Sequence, residues 1–297
     1  MKPAPARHFR PLPRLAGALA TLLLLSACSM GQMVVRGSTA ILDSGQEAMN
    51  RESDLQLARD AMPANLKLLE GMLVEDPHNT TLRLYAAEGF YGYSFGFIEA
   101  EDAGRAAGLY RRCYTHARAV LQAAGLARDP ETSSVELLKD AADRLDERAV
   151  PALFWTASCL GKWIDLNRDT VSGVASLANA ATLMQRVLEL DEAFYHAGPH
   201  LFFGVYYGGR SPLLGGDFAR SAQHFARAAE LNGEQLLLVD VLHAQYLDRQ
   251  QLDQAAFHAR LQQVVDAPGD LDPDLALING IARQQAARLL TYEDEWF

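Results

Sequence analysis

The chain has 297 residues, 49% of them hydrophobic and 22% charged, with a formal net charge of −10. An acidic surface without a Lys/Arg cluster repels phosphate backbones, which argues against nucleic-acid binding. After the N-terminal segment, no apolar run approaches the roughly 18 residues needed to span a bilayer.

Lys2, Arg7, Arg10 and Arg14 precede an apolar run from Leu15 to Leu25. This is the layout of a secretory signal, too short and wrongly flanked for a transmembrane helix. In Leu25-Ser26-Ala27-Cys28 a small residue meets a cysteine directly after the run, as in a bacterial lipobox. The expected chemistry is diacylglyceryl transfer to the Cys28 thiol, cleavage before Cys28, and acylation of the new amino terminus. One acyl chain binds a membrane reversibly, whereas two or three hold it essentially permanently. Ser29, where Asp would signal inner-membrane retention, points to the periplasmic face of the outer membrane. The leader carries four basic and no acidic side chains, so its loss takes the charge from −10 to −14. The expected organisation is a signal peptide over 1–27, a lipidated tether and first helix over 28–50, and one helical domain over 51–297.

Downstream, apolar residues recur three and four apart, the mark of amphipathic helices. Phe90, Tyr91, Tyr93, Phe95 and Phe97 crowd one helix, interrupted by Gly89, Gly92 and Gly96. Ala106, Tyr110 and Cys113 give a small–aromatic–small rhythm. Residues 125–150 interrupt it with Asp129-Pro130 and a charged helix from about Val135 to Arg148, ending at Pro151. Phe154, Trp155 and Trp163 lie on the next helix. Ala180, Met184, Val187 and Leu190 match the second helix of a tetratricopeptide repeat. His200, Phe203, Gly204 and Tyr207 fit the first-helix positions of the following repeat, whose partner helix carries Ser221, Phe225, Ala228 and Leu231. That partner is capped by Asp217 and closed by Asn232-Gly233. Between them Gly208 to Gly216 form a long loop. Leu236 to Leu247 is apolar nearly all round and should be buried. A further pair is read through Val239, Leu242, Tyr246, Ala255, Ala259 and Val265, and Asp272-Pro273 introduces a last stripe of Ile278, Ile281 and Leu289. The expected fold is all-α, a tetratricopeptide-like array of antiparallel helix pairs with extra helices.

Catalytic motifs are missing: there is no nucleophile elbow, kinase signature or dinucleotide fingerprint. The Gly208 to Gly216 loop lacks the Gly-Lys-Ser/Thr ending of a phosphate loop, so a structural turn or lid is the better reading. His196 and His200 have metal-compatible spacing, but Pro199 lies between them and no HExxH motif is present, so packing or capping is favoured; no metal or cofactor is expected. Cys113 and Cys159 are free to form a bridge in an oxidising compartment, but their small apolar neighbours favour buried thiols. Aromatic clusters on three helices exceed what core packing requires, and suggest an apolar cleft with a few polar tips. The candidate ligand- or partner-binding residues are Tyr91, Tyr93, Phe95, Phe97, Trp155, Trp163, His200, Phe202, Tyr206, Tyr207 and Leu214.

Several runs resemble one family in order along the chain: Ala61 to Glu70, Leu153 to Ala157 through Trp163-Ile164, Leu188 to Glu192, Gly198 to Tyr207 continuing through Leu214-Gly215-Gly216-Asp217 to Phe225, Leu277 to Gln284, and the ending Glu295-Trp296-Phe297. Together with the lipobox they resemble the T-components of tripartite ATP-independent periplasmic (TRAP) transporters. The resemblance implies a lipid-anchored periplasmic helical-repeat protein without catalytic residues. It also implies association with a periplasmic solute-binding protein, the transporter's P-component, and oligomerisation, with a trimer as the family expectation. The rival readings are a tetratricopeptide scaffold for envelope assembly, binding extended peptides, and an enzyme without a recognisable motif.

Overall fold

The computed structural model describes Met1 and residues 30–167, 171–269 and 271–297. The signal segment and Cys28 lie outside the described residues. Within them all regular structure is helical, in fourteen α-helices with short 3-10 and π turns, as the apolar spacing required.

Helices α1 (Met30–Gly37) and α2 (Thr39–Asn50) precede the main body, so the expected tether is already helical from Met30. Helix α3 (Leu55–Glu75) starts where the Asp54 carboxylate accepts from the N–H groups of Gln56 and Leu57. Helix α4 (Thr80–Tyr93) is capped by Asn79 and runs into a π turn, Ser94–Ile98. There follow α5 (Ala103–Ala123), α6 (Val135–Ala142), α7 (Val150–Asp165), α8 (Val171–Leu190), α9 (Phe194–Gly208) and α10 (Phe218–Leu231). Helix α11 (Leu238–His243) runs into a second π turn, Ala244–Asp248, before α12 (Gln254–Asp266), α13 (Ala276–Leu290) and α14 (Glu293–Trp296). Successive helices pack as pairs, α4 with α5, α7 with α8, α9 with α10, and α11 with α12.

Three aspartates set the register of the second helices. Asp102, Asp217 and Asp253 each accept from the N–H three residues on, at Arg105, Arg220 and Ala256. From each cap the same positions are buried: Ala106, Tyr110 and Cys113; Ser221, Phe225 and Ala228; Phe257, Leu261 and Val264. This corrects the sequence phase of α12, where Ala255 and Ala259 face solvent and Val265 is only half-buried. The Asp253 cap fixes this phase, placing Phe257 and Leu261 on the buried face two positions beyond Ala255 and Ala259.

Two other expectations change. The charged helix stops at Ala142, and Pro151 opens α7 instead of ending a helix, sitting in the first turn where its missing N–H is harmless. Cys113 and Cys159 are joined in a disulfide between α5 and α7, with Cα atoms 5.8 Å apart. The buried-thiol reading is therefore wrong: small neighbours bring the two helices close enough for the bridge.

The array closes on itself. Helix α13 packs on α2 and α3. Ile281 fills the notch at Gly96, where a Cβ would lie 2.7 Å from Ile281 Cδ1. Gln285 Nε2 donates to the Phe95 carbonyl at 3.3 Å, and Arg51 Nε meets Asp274 Oδ1 at 2.5 Å. Buried Asn279 completes the seam, accepting from the Leu237 N–H at 2.9 Å and donating to the Gln235 carbonyl at 2.9 Å.

Candidate ligand cavity

Helices α4, α7, α9 and α11 turn one face inward, and α2 and α13 close the opposite side. Between them lies a cavity of about 640 Å³, within the usual range for small-molecule sites. Tyr91, Phe95, Trp155, Phe202 and Tyr206 form its aromatic wall, with Leu177, Leu201, Leu242, Ile278 and Ile281 among the aliphatic lining. The glycines of the aromatic helix serve close approach. Gly89 leaves a Cβ position only 2.8 Å from Leu66 Cδ2, and both Gly89 and Gly92 also border the cavity.

The entry to α9 is unusual. Tyr195, His196 and Ala197 all have left-handed backbones, with φ of 48°, 57° and 57°, and each such residue costs about 1–2 kcal/mol. The aromatic wall holds this turn. The Tyr195 ring lies 4.7 Å from Trp155 and 5.5 Å from Phe154, and its hydroxyl donates to Glu88 Oε1 at 3.2 Å. The turn breaks the helical relationship between His196 and His200. His196 lines the cavity, while buried His200 faces α10, its Nε2 3.0 Å from Glu192 Oε2 and its Nδ1 3.0 Å from His224 Nδ1. Hydrogen bonds from Arg227 and His200 bring the Glu192 carboxyl down to about 2, and burial beside His200 brings His224 down to about 4.

The polar lining is sparse and mostly paired. Lys162 Nζ sits 2.6 Å from Glu99 Oε1 and 3.9 Å from Asp165, under the Phe95 ring. Burial disfavours the ammonium, yet Glu99, with Tyr246 and Asp165, holds the lysine pKa well above its ordinary value. Tyr110 Oη donates to the other Glu99 oxygen at 2.5 Å. Burial pushes Tyr91 up to about 12 and Glu88 up to about 7, the Tyr195 hydrogen bond opposing the second shift. Gln46 Nε2 also donates to Glu88 Oε1, at 3.3 Å.

The Gly208 to Gly216 loop is a tight turn at the cavity's edge. Gly215 has φ +84°, and Gly216 lies so close to the Arg210 carbonyl that a Cβ has no room. The loop projects Leu213 and Leu214, 96% and 74% exposed, and Leu214 borders the cavity.

Of the sequence-derived candidates, Tyr91, Phe95, Phe97, Trp155, Phe202, Tyr206 and Leu214 come together around the cavity. Tyr93 is buried on the other face of α4, against Phe97 and under Arg105. Trp163 lies under Arg111, 5.1 Å from its guanidinium carbon. His200 and Tyr207 face α10, where Tyr207 stacks on His224 and carries Arg220 at 4.1 Å. Helix phase separates the two sets: Phe202 and Tyr206 are four apart, and His200, Phe203 and Tyr207 occupy the adjacent stripe. The candidate set omitted Glu88, Lys162, Tyr195 and Arg210, all of which line the cavity. Lys162 carried a usable signal, the first charge of a helix whose preceding twelve residues are uncharged.

Fold and cavity together define an all-α repeat protein with a deep aromatic cavity sized for a small molecule. The family model of the TRAP transporter T-component matches residues 51–297, and the chain belongs to that family. The resemblance drawn from the sequence runs is borne out, and with it an accessory role in TRAP transport. No curated protein matches the chain.

Proposed function

We propose that this chain is a lipid-anchored periplasmic protein that binds the transporter's solute-binding P-component and holds an apolar or amphipathic ligand in its cavity, without catalysing a reaction. The observation that carries the ligand reading is the aromatic cavity of about 640 Å³ bordered by α4, α7, α9 and α11. An extended-peptide scaffold would instead use that same inner face as an open, polar groove. Here the return of α13 onto α2 and α3 covers it, which favours the small-molecule reading. Lipidation at Cys28 would confine the protein to the membrane surface, most simply the periplasmic face of the outer membrane, and raise the local concentration of whatever it recruits.

The test is recovery of the P-component from detergent-solubilised envelopes by the tagged protein, together with uptake measured in a Cys28→Ala strain. Co-purification of the solute-binding protein and weakened uptake are expected. Recovery of no solute-binding protein, with uptake unchanged in the Cys28→Ala strain, overturns the reading.

A further inference from the structure

Arg210 differs from every other charged group on the cavity wall. Lys162 is neutralised by Glu99 and Asp165, Asp274 by Arg51, and Glu88 is engaged by Tyr195 and Gln46. Arg210 has no carboxylate partner among the described residues. Its guanidinium is nevertheless held in a fixed pose. The Nε donates to the Tyr206 carbonyl at 3.0 Å, the guanidinium carbon lies 3.9 Å from the centre of the Tyr206 ring, and the loop packs Gly216 onto the Arg210 carbonyl. The Nη2 atom is buried and finds no protein acceptor. Arg210 as a whole is half-buried and borders the cavity, so it is the unpaired cation that an entering anion would meet. A planar guanidinium pre-set by stacking is suited to a carboxylate.

We propose that the cavity takes an amphipathic monocarboxylate, a fatty or arylalkanoic acid, with its carboxylate on Arg210 and its apolar body against the aromatic wall. This inference rests on the cavity being a ligand site. The distribution of charge selects one carboxylate and rejects a second. Eight residues of α9 separate Tyr206, which carries Arg210, from Gly198 beside the left-handed turn, or about 12 Å along the axis. Near that turn the wall presents Glu88 and Asp274, acidic groups that offer a second carboxylate no cation. Lys162, between Phe95 and Tyr110, is already paired. A dicarboxylate would therefore bury a charge without a partner, whereas a single-headed acid matches Arg210, the cation on the wall without a carboxylate partner among the described residues.

Trp155 lies on the wall and reports occupancy. The full chain carrying Trp163→Phe and Trp296→Phe is titrated with 12-bromododecanoic acid and with 12-bromododecan-1-ol, whose bromine quenches Trp155 on entry. The acid should half-quench at a concentration about ten- to hundredfold lower than the alcohol, the range expected of one charge-assisted hydrogen bond. Arg210→Met should remove that difference while leaving quenching by the alcohol intact, and Arg210→Lys should restore part of it. Equal quenching by acid and alcohol in the unchanged Arg210 protein overturns the carboxylate assignment and leaves the cavity reading standing. Quenching by neither compound overturns both.

Discussion

Tyr195 and Glu88, 107 residues apart in sequence, meet at 3.2 Å on the cavity wall, the phenol donating to a carboxyl that burial has pushed up to about 7. The folded protein therefore holds a proton at Glu88 between about pH 4.5 and 7 that the unfolded chain has released. Stability contributed by this group is fully present below pH 4.5 and is lost as pH rises through 7. Glu88→Gln should remove this dependence and raise stability at pH 8 by on the order of 2 kcal/mol. Urea unfolding at pH 5 and pH 8 measures it, and parallel pH profiles for the two proteins would refute the assignment.

The same contact steadies a strained turn. Ala197 is buried with φ 57°, a conformation that glycine adopts without the Cβ penalty. Ala197→Gly is expected to stabilise the protein by about 1 kcal/mol, against the usual direction of an alanine-to-glycine change. A loss of stability in thermal unfolding would contradict the left-handed geometry.

The Cys113–Cys159 bridge closes a loop with a sequence separation of 46. Loop-closure entropy for that length gives about 4 kcal/mol. Reductant should shift the urea midpoint downward accordingly, and it should have no effect on a Cys113→Ala, Cys159→Ala protein, which should start at the lower value. Equal midpoints with and without reductant in the unmodified chain would place free thiols there.

At Gly216 a methyl group has no room against the Arg210 carbonyl, a backbone atom that cannot swing aside. Gly216→Ala should displace the loop at a cost on the order of 1–3 kcal/mol. Because the loop positions Arg210, the preference of the cavity for the acid over the alcohol should fall as well. Unchanged stability and unchanged preference together would show that the loop is not tightly packed.

Asn279 satisfies two backbone groups at the seam between α11 and α13. Asn279→Ala leaves the Leu237 N–H and the Gln235 carbonyl without this partner, and should cost about 1–3 kcal/mol per buried unsatisfied group. Amide exchange at Leu237 is the direct readout, and continued protection would exclude the capping role.

The repeat architecture was legible because local chemistry writes it. Asp102, Asp217 and Asp253 stand at fixed distances before their buried positions, and a cap needs only its own helix to act. The two stripes of α9 were also present in the sequence: His200, Phe203 and Tyr207 match repeat-packing positions, which leaves Phe202 and Tyr206 for the cavity. What stayed hidden depends on partners far along the chain. Nothing in Tyr195-His196-Ala197 marks a left-handed turn, since the residues that hold it, Glu88 and Trp155, lie elsewhere. The disulfide depends on a Cα separation that spacing does not encode. The phase of α12 depends on where the chain re-enters a helix at Asp253, after Leu252 with φ 58°, and a fixed-period reading does not locate that point.

The contacts of α13 with Gly96 and Phe95, and of Asp274 just before it with Arg51, bear on how the chamber comes into being. An open repeat array grows from any nucleus and tolerates trimming at its ends. Here the last long helix has to find the first ones across more than two hundred residues of chain, a long-range closure that slows folding. The cavity wall is thereby completed only in the finished chain. A protein truncated before α13 lacks the wall supplied by Leu277, Ile278 and Ile281, so the chamber takes shape only once the C-terminal helix has docked.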